Sequence, residues 1–211
     1  IRENLQTFGG MRLSPDGRRL AMAQRVGGHP PDIWIQDLDR GSLARLTFGP
    51  ASNFNPVWTT NSKRLFYVSE RPVFELYWKA VDGSSPEEAF LVGGNDIYPS
   101  SVSPDGKILL MSVSDPKTAS DLWLLPLEGK REPKPLLVTP FDEMAGSFSS
   151  DGRWFTFQSN QSGKAEVYVQ DYPGGSNRAQ ISTEGGTEPV WSRNGKELFY
   201  RVGKKLMAVS M

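Results

Sequence analysis

A short turn sequence recurs five times along this chain. Its first copy is Ser14-Pro15-Asp16-Gly17, and the later copies begin at Thr59, Ser103, Ser149 and Ser192. The copies therefore start 45, 44, 46 and 43 residues apart. A period of about 40–45 residues with one tight turn in each repeat is typical of the four-stranded blades of a β-propeller. The repeat therefore predicts one β-propeller domain over residues 1–211.

The residues of the turn explain why each repeat contains a hairpin. Proline fixes φ, aspartate accepts hydrogen bonds from N–H groups two residues on, and glycine adopts a positive φ. A run that is apolar at nearly every position follows each turn, which indicates a strand buried on both faces. These runs are Leu20–Ala23, Leu65–Val68, Ile108–Met111, Trp154–Phe157 and Leu198–Tyr200.

The remainder of each repeat predicts two further strands. An acidic, an aliphatic and an aromatic residue open the third strand, and a short polar or proline-containing segment forms a fourth strand suited to an outer edge. The opening triplets are Asp32-Ile33-Trp34, Glu75-Leu76-Tyr77, Asp121-Leu122-Trp123 and Glu166-Val167-Tyr168. The predicted fold is an all-β, five-bladed β-propeller of four-stranded antiparallel blades, at about residues 8–48, 49–92, 93–139, 140–183 and 184–211 plus 1–7.

The two ends of the chain are predicted to complete one blade. The last repeat has three strand segments, whereas Ile1–Phe8 matches the fourth-strand segment Ser42–Phe48. If this N-terminal strand joins the last blade, the propeller closes and its open sheet edges disappear, which predicts a monomer. If the two ends do not meet, the chain is part of a propeller with more blades. The chain begins at Ile1 rather than Met and is expected to be a processed or excised segment.

Composition and charge exclude several classes of function. The 24 Lys and Arg residues balance the 24 Asp and Glu residues, so the net charge gives no overall electrostatic attraction for nucleic acid. The absence of cysteine excludes a thiol nucleophile and a Cys-ligated zinc. The single histidine, His29, argues against a transition-metal site and a Ser-His-Asp triad. No stretch approaches the roughly 18 apolar residues of a membrane span, so direct membrane contact is not expected.

No catalytic residues are predicted. The chain has no Gly-x-Ser-x-Gly elbow and no glycine-rich phosphate loop. Gly17 directly follows Asp16, so the spacing of a sialidase aspartate box is not met. Carboxylates are numerous, but no spacing singles out the acid–base pair of a glycosidase. No cofactor is predicted, although calcium binding by the many turn oxygens stays open.

The segments at the start of the first strands form the predicted functional region. In a propeller these segments converge near the axis, where amide, acidic and aromatic side chains would surround one mouth of the channel. Such a mouth could hold a peptide end, a cation or a small polar ligand, and solvated loops around a water-filled channel are the alternative. The candidate ligand-binding residues are Asn53, Asn55, Asp96, Tyr98, Glu143 and Glu188.

The repeat consensus resembles a known family. An aromatic residue and Ser-Pro-Asp-Gly, an apolar strand, Asp-Ile-Trp and Leu-Thr together resemble the TolB-type WD-like propeller repeat. This family includes the propellers of prolyl oligopeptidase-type peptidases and tricorn-like proteins. More narrowly, the segment 184–201, with Asp32-Ile33-Trp34-Ile35 and Glu166-Val167-Tyr168-Val169, resembles the C-terminal propellers of bacterial serine/threonine protein kinases.

The resemblance implies a non-enzymatic module that binds a protein or peptide partner, as a sensor or scaffold in a larger bacterial protein. It also implies an extracytoplasmic or periplasmic location. The alternative is the substrate-gating propeller of a prolyl oligopeptidase-type peptidase without its catalytic domain. A kinase upstream would favour the first interpretation, and an α/β-hydrolase domain beyond Met211 the second. A stand-alone lyase or glycan-active enzyme would require clustered carboxylates or arginines with perturbed pKa values.

Overall fold

All regular secondary structure in residues 6–211, the part that the computed structural model describes, is β-strand. The chain divides into two units, Ile1–Pro99 (unit 1) and Ser100–Met211 (unit 2). Eight strands lie in unit 1: β1 (Gln6–Leu13), β2 (Arg19–Arg25), β3 (Asp32–Asp37), β4 (Leu43–Arg45), β5 (Ser52–Trp58), β6 (Arg64–Arg71), β7 (Val73–Ala80) and β8 (Glu88–Leu91).

The next strand, β9 (Ile97–Val102), begins in unit 1 and ends in unit 2. Ten strands follow it: β10 (Ile108–Asp115), β11 (Ala119–Pro126), β12 (Lys134–Leu137), β13 (Glu143–Phe148), β14 (Trp154–Ser159), β15 (Glu166–Asp171), β16 (Arg178–Gln180), β17 (Thr187–Trp191), β18 (Glu197–Val202) and β19 (Lys205–Ser210).

Hydrogen bonding arranges these strands in five antiparallel sheets. The first four sheets are β1–β4, β5–β8, β9–β12 and β13–β16, each with its strands in sequence order, and the fifth is β17–β18–β19. In the described residues the fifth sheet has three strands. Five blades of this kind make a five-bladed β-propeller, and the fold predicted from the repeats is confirmed.

The recurrent turn has the hairpin geometry that its residues predict. In the first copy the N–H of Gly17 donates to the Ser14 carbonyl at 2.8 Å, and the same bond recurs in the other four copies. The Ser14 hydroxyl donates to the Asp16 carboxylate, which also accepts from the N–H of Arg18 at 3.1 Å. Glycine supplies the positive φ in four copies, and Ser62 adopts φ 59° in the second.

The second strands form the buried centre of the sheets, as their sequences predict. Leu65, Phe66, Tyr67 and Val68 of β6 are each 0% exposed. In unit 1, Leu65 and Tyr67 pack with side chains of the first sheet around Trp58, whose Nε1 donates to the Arg12 carbonyl at 2.8 Å. Apolar burial and aromatic contact therefore hold one sheet against the next within the unit.

The N-terminal strand differs in part from its prediction. Gln6 and Thr7 belong to β1, where they lie opposite Arg25 and Gln24 of the first sheet. The predicted closing strand is thus reduced to residues 1–5, which lie outside the described residues. Closure of the last blade by that segment stays a prediction.

Candidate functional site

A groove of about 690 Å³ lies between the fourth and fifth sheets, entirely within unit 2. One wall comes from β14 to β16 and the turn between β13 and β14. The other comes from β17, the turn that follows it, and the residue after β19. The side chains that define these walls include Trp154, Val169, Asp151, Trp191, Asn194 and Met211.

The groove combines two indole rings with fixed polar groups. Trp191 is held in place because its Nε1 donates to the Ser147 carbonyl at 3.1 Å. Asp151 forms an ion pair with Arg153 at 2.7 Å. Hydrogen bonds from the Ser149 hydroxyl, the Arg153 N–H and its guanidinium lower the pKa of Asp151 to about 2. Because that carboxylate is ionised and already paired, Asp151 is poorly suited to act as a general acid.

The corresponding position in unit 1 is closed. Between the first and second sheets, the Arg19 guanidinium lies 5.3 Å from the centre of the Trp58 ring and donates to the Ser62 carbonyl at 2.7 Å. The Ser62 hydroxyl also accepts from the N–H of Asp16 at 3.2 Å. In unit 2, Trp154 and Gly195 occupy the repeat positions of Arg19 and Ser62. Loss of the bridging arginine and the serine hydroxyl leaves the groove open.

The fifth sheet also differs from the others at its outer edge, which lies beside the groove. Its outer strand, β19, pairs only with β18 among the described residues. Leu206 on this strand is 71% exposed. Val190 on β17 is 50% exposed, whereas Val57 at the same position of the second sheet is 4% exposed. Among the described residues, the outer edge of this sheet therefore has no paired strand, and apolar side chains lie exposed on it.

Four of the residues predicted from sequence to form a binding site belong to unit 1. Asn53 is 1% exposed, and its amide donates to the Asp32 carboxylate at 3.1 Å, so it ties β5 to the first sheet. The Tyr98 ring packs edge-on against Phe74 at 5.7 Å. Burial and the neighbouring Asp96 carboxylate raise the pKa of the Tyr98 hydroxyl. Tyr98 and Asp96 are thus neighbours, while Asn53 has a structural hydrogen bond of its own.

The other two predicted residues belong to unit 2. Glu143 is 0% exposed and accepts from the Thr139 and Ser159 hydroxyls at 2.7 and 3.1 Å. Glu188 is exposed and forms an ion pair with Arg201 at 3.1 Å. Neither residue lines the groove. The grouping of all six residues around one channel mouth stays a prediction.

Asn55 and Glu188 mark a feature that the sequence did not reveal. Each lies where the pairing of a first strand with the second strand shifts register, which is the geometry of a β-bulge. Their φ values are 51° and 55°. Gly10 of β1 and Ala145 of β13 also adopt positive φ, at the equivalent position of their repeats. Gly10 was the one available signal, because glycine is the usual residue at such a bulge.

The groove itself was missed because no motif distinguishes it. The signal was a difference between repeats, with Trp154 and Gly195 in place of Arg19 and Ser62. In the described part of the chain, no group of three or more His, Asp or Glu side chains is arranged to hold a metal ion. Over residues 6–211, no helix has the length and apolar character to span a membrane.

The five repeated antiparallel sheets define the protein as a β-propeller. The sequence family of the prolyl oligopeptidase N-terminal β-propeller domain matches residues 3–171, and the chain belongs to this family. No curated protein sequence matches the chain.

Solved structures show the same fold at low sequence identity. A putative TolB from Agrobacterium tumefaciens has a TM-score of 0.80 and 18% identity over 96% of this chain and 76% of its own. TolB from Acinetobacter baumannii has a TM-score of 0.80 and 21% identity over 98% of this chain and 52% of its own. A prolyl endopeptidase structure has a TM-score of 0.64 and 16% identity over 93% of this chain and 32% of its own.

Proposed function

We propose that this propeller is a non-catalytic module that binds an extended polypeptide segment of a protein partner. The observation that carries the proposal is the groove of about 690 Å³ between the fourth and fifth sheets, beside strand β19. Grooves of about 300–1,000 Å³ that combine apolar walls with a few polar groups are typical ligand sites. Membership of a propeller family supports a binding role.

The chemistry of the surface favours a particular kind of segment. The edge of β19 can accept one more strand through main-chain hydrogen bonds, and an apolar side chain of that strand can fit between Trp154 and Trp191. Residues 187–211 carry five basic and two acidic side chains. Charge complementarity therefore favours a peptide with acidic residues around an apolar or aromatic anchor.

Selection of peptides tests this proposal. Unstructured peptides displayed on phage are selected against the whole chain, and Kd values are measured by fluorescence anisotropy. The selected peptides should share an apolar residue flanked by acidic ones. Trp154→Arg, which introduces the residue type of the closed unit 1 position, should weaken binding by about tenfold or more.

Leu38→Arg, at an exposed position of unit 1, is the matched control and should leave the Kd unchanged. Failure to select any peptide, or equal binding to the wild type and Trp154→Arg, would contradict the proposal. A variant that lacks residues 1–5 tests whether the N-terminal segment of the protein itself occupies the edge of β19. If the N-terminal segment covers β19, the truncated chain should bind peptides more tightly and melt at a lower temperature.

The sensor or scaffold role within a larger bacterial protein rests on the resemblance to kinase-linked propellers. The second candidate function is the substrate gate of a prolyl oligopeptidase-type peptidase, which the family match to residues 3–171 favours. Mass spectrometry of the natural full-length polypeptide separates the two. A contiguous α/β-hydrolase domain would support the gate, and a kinase domain would support the sensor.

A further inference from the structure

At two boundaries between neighbouring sheets, an acidic residue of the third strand lies across from one particular position in the first strand of the next sheet. Asp32 and Asp121 each lie two residues before a tryptophan that pairs with a methionine of the second strand. Asn53 and Glu143 lie at equivalent positions of β5 and β13, since each pairs with a buried serine. The Asp32–Asn53 pair lies in unit 1, and the Asp121–Glu143 pair lies in unit 2.

The carboxylate of Asp32 is fully supplied with donors. It accepts from the Asn53 amide at 3.1 Å and from the Thr47 hydroxyl at 2.7 Å, and it forms an ion pair with Arg45. A buried carboxylate can stay ionised in such surroundings, because hydrogen bonds and a nearby cation offset the loss of water.

Asp121 lacks most of these donors. In the first sheet Arg45 pairs with Trp34, whereas in the third sheet Pro135 pairs with the equivalent Trp123. Val138 stands at the repeat position of Thr47, so the hydroxyl donor is lost as well. The Thr118 hydroxyl donates to Asp121 Oδ2 at 2.5 Å. Asp121 is 2% exposed, and within residues 6–211 its Oδ1 is buried without a hydrogen-bond partner. The site therefore needs one more donor.

Glu143 has the matching deficiency. The Thr139 and Ser159 hydroxyls donate to its Oε1, and in the described residues its buried Oε2 has no partner. Burial raises the pKa of Glu143, and the Asp121 charge raises it further. The two hydroxyls and the Arg178 guanidinium act in the opposite direction.

The other charged groups around Glu143 have partners elsewhere. Arg178 on β16 lies over the Phe157 and Tyr168 rings at 4.7 and 5.0 Å. On β15, the Glu166 carboxylate accepts from the Ser182 hydroxyl and from the N–H of Gly185, and it is paired with Lys164. Asp142, which precedes β13, accepts from the N–H of Ser120 at 3.2 Å.

We propose that Asp121 and Glu143 share one proton. Glu143 is the carboxylic acid, and its Oε2–H donates to Asp121 Oδ1 as the Asn53 amide donates to Asp32. Two buried carboxyl groups whose charges interact favour a single proton between them, because ionisation of both places like charges together in a site without water. Loss of that proton as the pH rises leaves two buried negative charges between the third and fourth sheets, which makes this contact sensitive to pH.

The sign of the pH dependence follows from the raised pKa of Glu143. The folded chain binds this proton more strongly than the unfolded chain, whose glutamates titrate near pH 4.3. The contribution to stability is therefore complete below the unfolded pKa and is lost as the pH rises through the folded pKa. One such proton changes the unfolding equilibrium constant by up to about tenfold per pH unit.

Urea unfolding of the whole chain between pH 5 and pH 8 tests the proposal. The equilibrium constant for unfolding of the wild type should rise with pH, and Glu143→Gln should abolish most of that rise because its amide donates at every pH. The control is Glu188→Gln, which removes an exposed carboxylate and should retain the wild-type dependence. Equal pH dependence in the wild type and Glu143→Gln would overturn the proposal.

Carbon-13 NMR of the side-chain carboxyl groups gives a second measurement that does not depend on folding of Glu143→Gln. Glu143 of the wild type should titrate above the ordinary glutamate range. In Asp121→Asn the new amide can donate to an ionised Glu143, so Glu143 should titrate at lower pH. An ordinary titration of Glu143 in the wild type, or no change in Asp121→Asn, would also overturn the shared proton.

Discussion

The boundary between the first and second sheets and the boundary between the fourth and fifth sheets are built from the same repeat, yet one is closed and the other open. At the first, Arg19 covers the Trp58 ring and bonds to the Ser62 carbonyl. At the second, Trp154 and Gly195 take those positions and border a groove of about 690 Å³. The difference teaches that the side chains at these two repeat positions decide whether neighbouring sheets seal or leave a binding surface.

Truncation of the tryptophan at each boundary should have the largest effect. Trp58 is 5% exposed and belongs to a buried cluster, so Trp58→Ala should lower the free energy of unfolding by about 3–5 kcal/mol. Trp191 is partly exposed to the groove, so Trp191→Ala should cost roughly half as much or less. Urea unfolding of both variants measures the comparison, and equal losses would mean that the two boundaries are packed alike.

Exchange of the turn residues should have an intermediate effect. A Cβ at Gly195 would lie 2.5 Å from the Ser150 hydroxyl, and the residue has φ 69°, so Gly195→Ser should destabilise the chain by about 1–2 kcal/mol. Ser62→Gly relieves a positive φ but loses the hydrogen bond from Asp16, so the free energy of unfolding should change little. Thermal unfolding of both variants measures the comparison. A large loss of stability in Ser62→Gly would show that the hydrogen bond to the Ser62 hydroxyl contributes more than the positive φ costs.

Removal of the arginine should open the closed boundary at a modest cost. Arg19→Ala loses a cation–π contact and a hydrogen bond to the Ser62 carbonyl, which together contribute about 1–2 kcal/mol. Trp58 should then become more accessible to acrylamide quenching. Arg18→Ala on the same turn is the matched control, since Arg18 is exposed. Unchanged quenching in Arg19→Ala would show that the guanidinium does not cover the ring.

The smallest expected effect is on the stability of the chain at low pH. The pKa of Asp151 is lowered to about 2 in the folded chain, so its contribution to stability is present above the unfolded pKa near 3.9 and is lost as the pH falls toward 2. Asn194 fills the same position of the fifth turn and cannot titrate. Asp151→Asn should therefore reduce the loss of melting temperature between pH 4 and pH 2. An identical acid profile in the two proteins would contradict the role of this turn.

The sequence predicted those features that depend on local chemistry. The five turns and the buried second strands follow from Ser-Pro-Asp-Gly and from apolar runs such as Leu65–Val68, because backbone preferences and burial act within a few residues. Glu143 was selected as a polar residue of a channel mouth, yet it is fully buried. Its surroundings come from β11 and β14, and a single sequence does not reveal how such distant segments compensate a buried charge.

The groove was harder to predict for a related reason. Trp154 belongs to an apolar run that reads as an ordinary second strand. Its importance emerges only when the side chains across the next sheet boundary are known, because the same position is occupied by Arg19 in unit 1. Fold therefore follows from what the repeats share, and the candidate site follows from where two of them differ.

The bulge in the first strands has a consequence for redesign of this protein. The positive φ recurs at Gly10, Asn55, Ala145 and Glu188, although the four side chains have nothing in common. In these four repeats the backbone bend thus forms independently of the residue that occupies it, whereas the third repeat has Pro99 at this position. These positions are natural places to install new chemical groups, since the fold already tolerates neutral, polar and charged occupants there.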